Sequence, residues 1–510
     1  MHALNLVVTG HVQAVGFRPF VYRLAHRHGL HGWVQNQTGQ VEIFIQGAAG
    51  AVAKFEADLL GCAPPLSRPT VARRVAVAPG GYQDFAIKPS AAAAKPRIFV
   101  PPDYFMCGEC RIELDDPGDR RFHYPFINCT QCGPRYTLIR ALPYDRPNTT
   151  LAGFELCPAC RAEYEDPLDR RFHAEPVACA DCGPELAFHL SGQPVCVTRE
   201  AALAAALELL RDGLVLAVKG VGGYHLMCDA RDEAAVRRLR ERKNRPHKPL
   251  AVMFAERGAD GLQEIGDTVL LTEAAADLLR SPLRPIVLAS VAARASLAPS
   301  VAPGLGEIGV FLPYSPLHHL LLNAFAAPLV ATSGNLSGEP VLTDNDEAAR
   351  RLAAIADGFL QHNRPIERPA DDPVFRQIGT AMRPLRIGRG CAPLELALPF
   401  TLERPLLATG GHMKNTLALA WEDRVVVSPH IGDMDSPRSL DVFERVGADL
   451  QRLYGIDVQE LVCDAHNGYT TSRWARGQTM PLARVWHHHA HASALAAEHD
   501  IDRDWLMLTW

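Results

Sequence analysis

Eight cysteines stand at metal-ligand spacing, as four Cys-x-x-Cys pairs: Cys107/Cys110, Cys129/Cys132, Cys157/Cys160 and Cys179/Cys182. Two thiolates on one tight turn supply two corners of a tetrahedron. Two pairs therefore close one structural zinc site, and four pairs close two. The second half copies the first at an offset of 50 residues: "CGECRIELDDPGDRRFHYPFINCTQCGP" is echoed by "CPACRAEYEDPLDRRFHAEPVACADCGP". Spacing leaves open whether each half closes its own site or whether outer pairs join outer and inner join inner. His123 and His173 recur at matched places, but with eight thiolates available their expected role is packing or support. A further metal pair lies in "RVWHHHAHAS", where His487 and His491 sit four apart and would project from one helix face. Two ligands make half a coordination sphere, and the sequence does not identify the metal.

Two other stretches could hold phosphate. "LNLVVTG" alternates like a half-buried strand, "HVQAVG" is a short loop, and "FRPFVYRLAHRHG" has helical apolar spacing stopped by Gly29. Strand, loop and helix start aim free N–H groups and the positive helix end at one point, where Arg18 can fork onto an anion. With "GWVQNQTGQVEIFIQG" this region resembles acylphosphatase over roughly the first 90 residues. The resemblance implies a ferredoxin-like sandwich, a phosphate-binding role for Arg18 and a water-orienting role for Asn36. Ala14 stands where many members have glycine, which would narrow the loop.

The second stretch, "RRLRERKNRPHKPLAVM", crowds cations before a buried strand, and its "KNRPHKP" turn sets them beside prolines. "VATSGNLSGEP" follows a strand with the hydroxyls, amide and glycines of a polar ligand loop. With "KGVGGYHLMCDA", "SPLRPIVL" and "RPLRIGRG" these resemble the YrdC family. That resemblance implies binding of ATP, with its Mg²⁺, and of a small carbonic acid derivative. It places Lys243, Arg245, Ser333 and Asn335 at the site, with Lys219, Tyr224 and His225 lining the same cleft. "RPLLATGGHMKNTLALAWEDRVVVSPHIGDM", "QELVCDAHNGYTTSRWA" and the histidine run resemble the actin-like fold of the TsaD family, which implies a divalent metal at His487 and His491.

These elements imply a multidomain α/β and α+β chain. Residues 1–90 would be acylphosphatase-like, and "PSAAAAKP" a linker. Residues 97–190 would be the duplicated zinc module, 197–395 YrdC-like, and 400–510 a partial TsaD-like domain. At 510 residues, with net charge −5 and 21% charged residues, the chain has no global attraction for nucleic acid or acidic membranes. The opening residues lack a signal-peptide pattern and no run is long enough to span a bilayer, so the expected compartment is the cytosol, where disulfides are rare.

The domain order resembles the HypF family, carbamoyltransferases of [NiFe]-hydrogenase maturation. This implies hydrolysis of carbamoyl phosphate at Arg18 and Asn36, and passage of carbamate through a closed tunnel to the YrdC-like site. ATP would there give carbamoyl adenylate, and the carbamoyl group would pass to the C-terminal cysteine of HypE for cyanide synthesis. The resemblance also places the remaining metal carboxylates beyond "DWLMLTW". The expectation is a shortened chain with a half-built fourth site, competent for the first two steps and not for the last. Two alternatives carry less: threonylcarbamoyl modification of tRNA, which has no need of an acylphosphatase domain, and a zinc-dependent interaction scaffold.

Overall fold

The computed structural model describes residues 1–13, 15–37, 39–64, 66–89, 99–142, 144–293, 295–499 and 506–507. Ala14, most of the expected linker and all of the "DWLMLTW" strand except Leu506 and Met507 lie outside the described residues. The chain forms two compact units, Met1–Pro101 with Phe105–Pro184, and Pro102–Tyr104 with Glu185–Trp510.

The first unit begins with β1 (His2–His11), α1 (Phe17–Arg27), β2 (His31–Gln37), β3 (Gln40–Gly47), α2 (Ala49–Gly61), β4 (Arg68–Val77) and β5 (Phe85–Lys88). The strands lie in the order β4-β1-β3-β2-β5. β3 runs antiparallel to both β1 and β2, so α1 and α2 are crossovers packed on the sheet, the split βαβ plan of the ferredoxin-like sandwich. α1 buries Phe17, Val21, Leu24 and Ala25 at helical spacing against Val8, Val34, Ile43 and Phe55. Gly29, at φ 60, ends it.

The duplicated module then gives two matching helices, Gly108–Asp115 and Pro158–Glu165, each opening at the first cysteine of its half. The halves are cross-braced. Arg121 pairs with Glu163 and Arg171 with Glu113, while Arg120 donates to Cys160 Sγ at 3.3 Å and Arg170 to Cys110 Sγ at 3.2 Å. Each half thus supplies the outer hydrogen bonds of the other's cysteine cluster.

The second unit carries an 11-stranded sheet with the central run Val252–Met253, Leu329–Ser333, Tyr224–Asp229, Leu216–Lys219 and Gly358–His362. Its core includes the apolar residues Val218, Leu226, Phe254, Val310, Val330 and Phe359. Leu186–Leu190, within the stretch assigned by sequence to the cysteine module, pairs with Gly358–His362 and so belongs to this sheet. A six-stranded sheet follows, ordered Leu394–Ala397, Arg424–Val427, Ala418–Trp421, Leu406–Ala408, Glu460–Asp464 and Leu482–Val485. The helix Pro437–Tyr454 starts where Ser436 Oγ accepts from Ser439 N with Pro437 at the first turn, and ends at left-handed Gly455. Val442, Phe443, Val446, Leu450 and Leu453 make its buried stripe. No helix of the described residues is long and apolar enough to cross a membrane.

Candidate functional site

The loop expected from sequence to hold phosphate lies between β1 and α1. Gly16 caps α1 at φ 74, and a Cβ there would meet Thr130 Oγ1 at 2.8 Å, so the position favours glycine on both counts. Gln13 Nε2 donates to Gln37 O at 2.7 Å, tying the loop to the end of β2 and setting Asn36 beside it. Among the described residues Asn36 Oδ1 is buried without a hydrogen-bond partner, an acceptor available to a water. Burial lowers the pKa of the Arg18 guanidinium, against the opposing influence of Asp145, Glu175 and Tyr164. All three come from the cysteine module, which walls this loop.

Cys107, Cys110, Cys129 and Cys132 form one cluster and Cys157, Cys160, Cys179 and Cys182 another, so each half closes its own. Sγ–Sγ distances are 3.7, 3.7 and 3.6 Å in the first and 3.7 and 3.9 Å in the second. Four sulfurs about 2.3 Å from zinc in a tetrahedron lie about 3.8 Å apart, and both clusters fit two structural zinc ions. His123 and His173 stay outside both ligand sets, with left-handed φ of 53 and 51 and their rings against Phe122 and Phe172.

Lys243, Arg245, Ser333 and Asn335 come together although 90 residues separate the two motifs. Lys243 caps the end of the helix Glu233–Arg242, and its Nζ donates to Ser333 O at 2.6 Å and to Asn335 O and Oδ1 at 2.8 Å. Ser333 Oγ donates to Asn335 Oδ1 at 2.9 Å. Arg245 spans toward Thr332 Oγ1 at 3.4 Å and donates to Pro249 O at 2.8 Å. Burial lowers Lys243 to about 7, helped by Arg245, and burial lowers Arg245 to about 10. Gly334 makes this loop possible, because a Cβ there would meet Tyr224 Cβ at 2.5 Å and Tyr224 O at 2.8 Å.

Lys219 and Tyr224 face each other across the ladder and share Asn345 Oδ1, at 2.6 Å from Nζ and 2.9 Å from the phenol. Burial lowers Lys219 to about 7, with Arg364 adding to the effect. His225 departs from the expected grouping. As the next residue of the strand it points to the opposite face. Its Nε2 meets Asp372 Oδ2 at 2.8 Å, and Nδ1 lies 3.3 Å from Tyr314 OH and 3.5 Å from His318 Nε2. Arg389 completes this buried group, 3.1 Å from Asp372 and stacked over Tyr314 at 3.7 Å. Burial pushes Asp372 up, but His225 and Arg389 outweigh it and hold the carboxyl low.

His487 and His491 open the helix His487–Glu498, exposed, with Nε2 atoms 3.1 Å apart. Two nitrogens sharing a metal at about 2.1 Å stand about 3.0–3.4 Å apart, so the pair fits one divalent ion. Asp464 Oδ2 lies 2.6 Å from His487 Nδ1, which leaves Nε2 as the ligand atom. The parallel pairing of Glu460–Asp464 with Leu482–Val485 brings that carboxylate in. His412, bonded to Asp435 at 2.8 Å, stacks on Tyr469 nearby. Sequence reasoning marked Asp464 only as a strand end within the TsaD-like motif and assigned no role to His412, Asn345 or Asp372, since each enters through a contact distant in the chain.

Four family models match in succession: Acylphosphatase over 4–87, HypF finger over 106–139 and 156–189, Telomere recombination (Sua5/YciO/YrdC) over 208–388, and HypF Kae1-like domain over 401–498. Fold and site together define a multidomain protein joining an acylphosphatase fold, two zinc fingers, a YrdC-like domain and a Kae1-like domain. Carbamoyltransferase HypF of Synechocystis sp. is 47% identical over 505 residues, covering 98% of this chain and 64% of that protein. Carbamoyltransferase HypF of Rhodobacter capsulatus is 43% identical over 508 residues, covering 98% and 66%. A crystal structure of full-length HypF in the phosphate- and nucleotide-bound form superposes with a TM-score of 0.91 at 38% identity, covering 98% of this chain and 65% of that one. The chain belongs to the HypF family, and it spans 64% and 66% of the length of those two relatives.

Proposed function

We propose that this chain carries the carbamoyl-activating steps of a HypF-type carbamoyltransferase in the cytoplasm. Carbamoyl phosphate binds at the α1 N-terminus with its phosphoryl group on Arg18. Asn36 Oδ1 orients a water in line, the P–O bond to the acyl group breaks, and carbamate and inorganic phosphate leave. An acyl phosphate is already activated, so positioning and charge stabilisation suffice without a covalent nucleophile. At the second site Lys243 and Arg245 neutralise the triphosphate of Mg²⁺-bound ATP, while Ser333 and Asn335 fix its approach. A carbamate oxygen attacks the α-phosphorus and pyrophosphate leaves, giving carbamoyl adenylate. Lys219 and Tyr224 line the acyl end. The third step is thiolate attack by the C-terminal cysteine of HypE, with AMP leaving, near His487 and His491. A divalent ion held there would supply Lewis-acid stabilisation of developing charge.

The observation that supports this reading is that one chain joins an acylphosphatase fold to a YrdC-like domain in which Lys243 Nζ donates to Ser333 O and Asn335 Oδ1. The test is ATP–pyrophosphate exchange with and without carbamoyl phosphate, beside Arg18→Ala and Lys243→Ala. Exchange is expected to need carbamoyl phosphate and to vanish in both variants. Exchange that ignores carbamoyl phosphate would overturn the two-site relay.

A further inference from the structure

The cysteine module is a duplication, so the places where its halves differ are informative. At the offset of 50, Leu114 corresponds to Tyr164 and Pro125 to Glu175. Tyr164 and Glu175 touch: the phenol donates to Glu175 Oε2 at 2.7 Å, and Arg146 N donates to the same oxygen at 2.7 Å. Both act electrostatically on Arg18. Two departures from symmetry have thus produced one bonded pair, and that pair lies within electrostatic reach of Arg18 at the loop.

Packing does not explain it. Glu175 is 2% exposed, and a buried carboxylate is costly unless its lone pairs are used. Oε2 is doubly satisfied. Oε1 accepts no hydrogen bond among the described residues, with His173 Nδ1 3.9 Å away. Burial raises Glu175 to about 7, Tyr164 and Arg146 N–H oppose this, Asp145 adds to it and Arg18 opposes it. An acid kept at such cost, held on one oxygen and open on the other, is arranged to receive a donor.

We propose that Glu175, clamped by Tyr164, recognises the acyl end of the substrate bound at Arg18, its Oε1 accepting an N–H of the carbamoyl group. An acetyl group has no such donor, so this contact selects carbamoyl phosphate from among small acyl phosphates. The second zinc-finger half is then part of the first active site as well as scaffold. This rests on the acyl phosphate reading given above.

Glutamine is the informative replacement. The two donors on Oε2 would hold its carbonyl oxygen, leaving its NH₂ where Oε1 stood, donor against donor. The measurement is phosphate release by the full chain from carbamoyl phosphate and from acetyl phosphate, expressed as the ratio of the two kcat/KM values. That ratio is expected to fall about tenfold in Glu175→Gln, the worth of one charge-assisted hydrogen bond, and by less in Tyr164→Phe. Zinc content of two per chain checks the fold, and if Glu175→Gln loses zinc the Tyr164→Phe ratio decides. An unchanged ratio overturns the proposal. Arg18→Ala tests the underlying reading separately: undiminished release from both substrates would sink that reading, whereas loss from both with an unchanged ratio in the other variants sinks this inference alone.

Discussion

Lys243 shows how a single residue can report on the proposed ATP site. Burial holds it at about 7 even though its Nζ has three acceptors. A bound triphosphate would favour the ammonium and raise that value, so binding takes up a proton between the free and bound values. The sign follows: ATP affinity is fully present below about pH 7 and falls as pH rises toward the bound value, by up to about tenfold per unit. Calorimetry at pH 8 in two buffers of different ionisation enthalpy should show close to one proton taken up, and Lys243→Met should abolish most of it. Equal uptake in the variant would shift the effect to Lys219, also lowered by burial to about 7. The tetrad was legible because its members sit in two short motifs whose residue types suit phosphate. The Tyr224 and His225 grouping was not, since it depends on which face of the strand each occupies. Nor was Asn345, which reaches Lys219 across 126 residues.

At the scale of elements, the duplicated cysteine module behaves as a pair rather than as two independent units. Sequence repetition gave two closed clusters as one of the open pairings, but nothing in the spacing showed that the "DRRFH" arginines cross over. Burial pushes Glu163 up, yet hydrogen bonds from Arg121 and Arg120 outweigh it and hold the carboxyl at about 2. Arg121 and Arg171 are 1% and 3% exposed, and removing either takes a buried partner from a carboxylate that keeps its second arginine, Arg120 or Arg170, at a cost of about 1–3 kcal/mol. Because Arg120 and Arg170 donate to the opposite half's cysteine sulfurs, the damage should appear in the other zinc site. In Arg120→Ala/Arg121→Ala, release of zinc to a chromophoric chelator should become biphasic, with one equivalent several-fold faster and the other near the parent rate. Two equally accelerated equivalents would mean that the module loosens as a whole. Chelating both ions should also end phosphate release at Arg18, since Asp145, Tyr164 and Glu175 come from the same module.

Across the second unit, the Kae1-like and YrdC-like regions meet through Arg438, at the start of the helix Pro437–Tyr454. Its guanidinium bonds Glu347 at 2.8 Å, Pro340 O at 2.6 Å and Val341 O at 3.3 Å. Pro340 and Val341 end the loop that begins at Ser333, and that loop closes on itself through Leu342 N to Gly334 O at 3.0 Å and Asn335 Nδ2 to Glu339 O. The loop proposed to bind ATP is therefore fixed at its far end by the neighbouring region. Arg368, 1% exposed and 3.2 Å from Asp449, ties the same two regions a second time. No motif marks Arg438. It precedes an ordinary amphipathic stripe, and its partners lie 91 to 98 residues back, so only the packed structure reveals it. Removing this side chain should free the loop without touching Lys243. With water replacing part of the lost bonding, Arg438→Ala should raise the KM for ATP in pyrophosphate exchange about tenfold while kcat changes less. Arg438→Lys should recover only part of that, because one ammonium cannot reproduce the planar fork across three acceptors. A KM for ATP equal to the parent's in both variants would show that the loop's internal hydrogen bonds suffice. The two regions would then be joined mechanically without being coupled in ATP binding.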